Sequence, residues 1–121
     1  MELAELRAAV ANGRRFTHAI GEREFIGVVP TQMAINCAVE ENTVAARLQR
    51  AVVLLALRGW NCRTRDLNLA PDVAPDEPLA FGAGTVGLLM YERPEWEKEL
   101  CDVVLAKVTE RREALKAAQG N

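Results

Sequence analysis

A helix that is apolar around most of its girth has no face to give to water, so the rest of the chain must be built around it. The spacing predicts such a helix over 43–58 on the 3.6-residue period: Val44, Leu48, Val52 and Leu55 share one face, and Val53, Leu54 and Leu57 widen the stripe. Asn42 is a suitable N-cap, and Arg58-Gly59 closes the helix with a cation in the last turn and then a glycine. The apolar run 51–57 is far short of the roughly 20 residues that cross a bilayer, so this is a core helix and no membrane span is expected.

The C-terminal stretch supplies the second large apolar face. Pro94 suits a first helical position, and Trp96, Leu100, Val103, Val104, Val108 and Leu115 mark one stripe down a helix over 94–118. Glu95, Glu97, Glu99 and Asp102 lie in its first half, and Lys107, Arg111, Arg112 and Lys116 in its second, which suits the helix dipole.

The remaining signals are shorter. Leu3, Leu6 and Val10 predict an N-terminal helix over 2–11, stopped by Asn12-Gly13. Two β-prone runs around a polar turn predict a hairpin over 15–29. With a four-residue loop at 21–24, Ile20 faces Phe25 and Phe16 faces Val29, giving one apolar quartet. A two-residue turn at Gly21-Glu22 would pair Ile20 with Arg23 and break up that face, so the four-residue loop is preferred. Pro30 ends the second strand and Thr31 caps a helix over 31–40. A long irregular loop spans 60–83, followed by a short helix over 85–92 that stops before Pro94.

The expected fold is therefore α+β and mainly α-helical, one domain over residues 1–121. That length supports one core, and 19 alanines against six aromatics favour closely packed helices.

Chemistry is conspicuous by what is missing. His18 is the sole histidine and the chain has no serine, so neither a Ser–His nor a Cys–His nucleophile is assembled in an obvious way. Cys37, Cys62 and Cys101 are scattered singly, which argues against zinc and against a disulfide framework. Cys37 and Cys101 are expected to pack as small apolar residues, while Cys62 follows the exposed-looking Trp60-Asn61. The loop acids Asp66, Asp72, Asp76 and Glu77 lack the alternating spacing of a calcium loop and are expected in solvent, as are Arg58, Arg63 and Arg65. Gly82-Ala83-Gly84-Thr85 lacks the lysine and spacing of a phosphate loop and is expected to be a helix start. No enzyme, metal or cofactor is expected. A formal net charge of -2 lacks the basic footprint of a nucleic-acid binder. The sequence opens with Glu2 and Glu5 rather than a basic segment leading into an apolar one, so no secretory signal is expected and the protein should stay in the cytoplasm.

The order of these signals carries a resemblance. Phe16-Thr-His-Ala-Ile-Gly-Glu-Arg-Glu-Phe25 followed by Val29-Pro30-Thr31, then Arg58-Gly59-Trp60, Glu77-Pro78-Leu79-Ala80-Phe81, the segment 85–89 and Arg93-Pro94-Glu95-Trp96, resembles the tail assembly chaperones of tailed bacteriophages over residues 15–105. The resemblance implies a non-enzymatic assembly factor in the host cell cytoplasm. It would coat the tape-measure protein, recruit tail-tube protein, self-associate as a homo-oligomer, and leave the finished tail. The alternative is a structural virion component such as a head-tail connector, baseplate or minor tail subunit. Covering an apolar client helix needs shallow apolar surface. The candidate partner-binding residues are Ile26 and Val28 on the hairpin, with Trp60, Leu67, Leu69, Leu79 and Phe81 along the loop.

Overall fold

A computed structural model describes residues 2–119. The elements run α1 (Leu3–Gly13), β1 (Arg15–Ile20), β2 (Arg23–Val28), α2 (Gln32–Glu41), α3 (Ala45–Ala56), β3 (Leu57–Trp60), a 3-10 turn (Thr64–Leu67), α4 (Ala83–Glu92) and α5 (Pro94–Gln119). The fold is α+β and mainly helical. One three-stranded antiparallel sheet in the order β1-β2-β3 packs its inner face against the helices.

Helices α3 and α5 cross at the centre. Val52, Val53 and Ala56 meet Leu100, Cys101, Val104 and Val108, joined by Val86, Leu89 and Met90 of α4 and by Phe16 and Phe25 of the sheet. Arg50 donates from Nε to the buried Glu97 carboxylate, tying α3 to the first turns of α5. His18 Nε2 lies 2.7 Å from Glu99 Oε2, a link from β1 to α5. The Thr31 hydroxyl accepts from the Ala34 N–H, so α2 begins at its expected cap. Helix α1 continues to Gly13, so Asn12-Gly13 forms its last turn instead of following it.

Three expectations fail, each for a definable reason. The core helix is shorter than 43–58 at both ends. Asn42 is taken by the helix before it, since both its backbone N–H and its Nδ2 donate to the Ala38 carbonyl, and α3 starts behind Val44. At the other end Arg58-Gly59 is strand: Leu57–Trp60 pairs with β2, setting Phe25 opposite Trp60 and Ile26 opposite Gly59, with a bulge beside Gly27. The hairpin therefore has a third strand.

The hairpin register is also not the expected one. Ile20 pairs with Arg23, His18 with Phe25 and Phe16 with Gly27, around a two-residue turn at Gly21-Glu22. Gly21 has φ +59° and Glu22 does not share the left-handed region, the pattern of a type II′ turn that matches strand twist. The two registers differ by two residues and so keep the same faces. Phe16, Phe25 and Val29 are buried as expected, with Ile20 partly buried beside them. Two facts remove the objection to the shorter turn. Asp66, 43 positions further along the chain, neutralises Arg23, and Gly27 leaves room for the Phe16 ring.

That last point gives a prediction. A Cβ at Gly27 would stand 2.6 Å from Phe16 Cζ and 3.0 Å from the Ala56 carbonyl oxygen, a backbone atom. Gly27→Ala should lower stability by about 1–3 kcal/mol, the usual penalty for overpacking. A thermal melt with an unchanged midpoint would contradict this register.

Candidate functional site

The segment between Trp60 and Ala83 is irregular, yet it is held at many points. Asp66 is 6% exposed, and its Oδ2 accepts from Arg23 Nε at 2.7 Å and from the Arg63 N–H at 2.8 Å. Its backbone carbonyl accepts from Arg93 Nε at 3.0 Å, which ties the turn to the α4–α5 junction. Arg63 grips Asp76 through both carboxylate oxygens and the carbonyl. The Thr64 hydroxyl donates to the Pro75 carbonyl and accepts from the Glu77 N–H, while the Leu79 N–H donates to the Cys62 carbonyl. Asp66, expected in solvent, is thus the anchor of the segment, and Arg63 and Asp76 are paired. The Asp66 hydrogen bond raises the Arg23 pKa above its ordinary value, with burial working against it.

This frame sets the apolar side chains. Trp60 donates from Nε1 to the Leu79 carbonyl at 2.8 Å. Its ring meets Phe25 edge-on at 6.4 Å below and Phe81 edge-on at 5.0 Å above. Phe25 also meets Trp96 at 5.9 Å, and the Arg93 guanidinium carbon lies 5.1 Å from the Trp96 ring centre. A line of aromatic rings therefore runs from the centre of the core to Phe81, which is 40% exposed. Such edge-on pairs fix ring orientation beyond simple burial.

Of the seven candidate partner residues, the structure brings Trp60, Leu79 and Phe81 together, with Trp60 and Leu79 largely covering the core. Leu67 also packs on the core, while Leu69, beyond the left-handed Asn68, is 40% exposed. Ile26 is exposed on the outer face of the sheet, and Val28 lies beside Leu3, Leu6 and Val10 of α1. The open apolar side chains in this set are thus Ile26, Leu69 and Phe81. Sequence reasoning missed the Arg23–Asp66 pair, because no local signal joins residues 43 positions apart.

Two cysteine expectations are reversed. Cys62 is buried and Cys37 is exposed, whereas Cys101 is buried as expected. Burial first, and the Asp66 carboxylate second, push the Cys62 thiol up to about 12, and burial raises Cys101. In the folded protein Cys37 should react with a thiol reagent such as Ellman's reagent while Cys62 and Cys101 stay protected until denaturant is added. Rapid reaction of all three would contradict the burial. Because the Cys62 pKa is raised from 9.0 in the folded state, its contribution is complete below pH 9 and is lost as pH climbs toward 12.

Gly82 to Thr85 is a helix start: the Thr85 hydroxyl donates to the Ala80 and Gly82 carbonyls, and α4 begins at Ala83. Among the described residues no cluster of three His, Cys, Asp or Glu side chains could hold a metal ion, and no helix is long and apolar enough to cross a membrane. No family model, curated protein or solved structure matches the chain.

Proposed function

We propose that this chain is a non-enzymatic phage tail assembly chaperone that binds the tape-measure protein and recruits tail-tube subunits in the host cytoplasm. The observation that carries the reading is a segment tethered by side-chain hydrogen bonds that still leaves apolar side chains open. Phe81 and Leu69 stand half open on a segment pinned by Asp66, Arg63 and Trp60, where an ordinary connector would present polar side chains. Pre-ordered apolar side chains of this kind bind a client helix without the entropy loss of ordering a mobile loop. The sequence of hairpin, core helix, proline-rich segment and final helix that carries the family resemblance supports the same reading.

The experiment is the protein inventory of mature particles from a phage that encodes this chain. A chaperone is present in infected cells and missing from purified virions. Recovery at a fixed copy number in virions would overturn the reading in favour of a head-tail connector, baseplate or minor tail subunit.

A further inference from the structure

The core stripe of α5 outruns the core. Leu100, Val104 and Val108 are buried, yet Leu115, on the same stripe, is 51% exposed because the helix projects past the domain body. Beneath this overhang lies a groove of about 530 Å³ with Val108 and Leu115 on its floor and Arg14, Arg111, Arg112 and Lys116 around it. Among the described residues no carboxylate lines it. Arg14 and Arg112 donate only to neutral oxygens, on Val29 and Gln32, and among the described residues none of the four cations has an ion-pair partner. In a chain with more acids than bases, four unpaired cations around one apolar groove call for an acidic, amphipathic occupant.

The chain itself carries such an element. Helix α1 exposes Leu3, Leu6 and Val10 at 63%, 48% and 50%, and Glu2 and Glu5 stand at its N-terminal end. Its 11 residues span about 16 Å at 1.5 Å per residue, the length of α5 from Val108 to Gln119. Arg14 borders both the groove under α5 and the shallow recess that Leu3, Leu6, Arg7 and Val10 form with Val28, so the groove and the apolar face of α1 adjoin, with the acids Glu2 and Glu5 at the N-terminal end of α1 and its one base, Arg7, beside Leu6. Adjoining complementary patches are what a two-fold interface requires, since each copy then gives and receives the same contact.

We propose that this protein forms a two-fold dimer in which α1 of each copy lies in the α5 groove of the other. Leu3, Leu6 and Val10 cover Leu115 and Val108, and Glu2 and Glu5 face Arg111, Arg112 and Lys116. An antiparallel arrangement also sets the positive N-terminal end of α1 beside the negative C-terminal end of α5. The inference is independent of which client the protein serves.

The test is sedimentation equilibrium of the full chain over micromolar concentrations. A reversible species of twice the 13.3 kDa chain mass is expected. Arg111→Glu with Lys116→Glu should weaken it about tenfold or more, because two attractions become repulsions. Glu2→Lys with Glu5→Lys should do the same, and the four changes together should restore the dimer. Circular dichroism checks that each variant keeps its helices, as surface substitutions should. A monomer at every concentration, a dimer indifferent to either charge reversal, or failure of the fourfold variant to recover would overturn the proposal.

Discussion

Leu100→Asp is expected to leave this chain unfolded at room temperature. Leu100 is fully buried on α5 among residues of α3 and α4, and the cluster around it contains no cation to pair with a carboxylate. Truncating a buried leucine costs about 2–5 kcal/mol through lost burial and the cavity left behind. An unpaired buried charge adds several kcal/mol more, against a total stability of about 5–15 kcal/mol for a domain of this kind. Val104→Asp, one turn along the same stripe, should behave alike. Leu100→Met conserves volume and should lose less than about 1.5 kcal/mol, which separates the charge effect from mere substitution. Circular dichroism during a thermal ramp decides this: a cooperative melt of Leu100→Asp near the parent midpoint would contradict the assignment of α5 to the core.

Asp66→Ala is the second large effect. The substitution strips Arg23 of its counter-ion at a site where the two side chains are 11% and 9% exposed, and leaves the Arg63 N–H without its acceptor. Breaking a buried pair from one side costs about 3–5 kcal/mol, because a desolvated charge remains. The lower end is expected here, since the Arg23 head keeps an edge in contact with water. The loss should appear first as local opening, with backbone amides over 62–79 exchanging faster than those of α3 and α5. Arg23→Met combined with Asp66→Leu should recover most of the stability, as replacing both partners leaves no orphaned charge. A double variant no more stable than Asp66→Ala would show that the pair contributes through something besides charge.

These two residues also mark how far the sequence could be read. The α5 stripe was legible because six apolar residues repeat at helical spacing over more than five turns, with the start set by Pro94. The faces of the hairpin were legible too, since cross-strand pairing collects Phe16, Ile20, Phe25 and Val29 on one face, and a shift of two residues does not change it. What escaped depended on partners distant in sequence. In sequence Leu57 and Arg58 look like the end of a helix, Gly59 like its stop and Trp60 like the start of a loop, and pairing with the edge of β2 makes all four a strand. Arg23 argued against the two-residue turn until Asp66 was placed beside it. The candidate surface was legible as a set of apolar residues in a proline-rich segment. Its division into side chains that cover the core, Trp60, Leu67 and Leu79, and side chains left open, Leu69 and Phe81, depends on the fold around Asp66.

That division singles out the right residue for the decisive experiment. Trp60 supports Phe25 and the Leu79 backbone, so its removal would disturb folding and binding together. Phe81 ends the line of rings at the surface, where a substitution leaves the core intact. A tape-measure fragment from the same genome should be expressed alone, with this protein, and with Phe81→Asp, and its soluble fraction measured. The account predicts a soluble fragment with the parent protein and an insoluble one with Phe81→Asp, while the variant itself still melts cooperatively, having lost the Trp60–Phe81 ring contact, about 0.5–1.5 kcal/mol. Equal solubility of the fragment with and without the parent protein would contradict it.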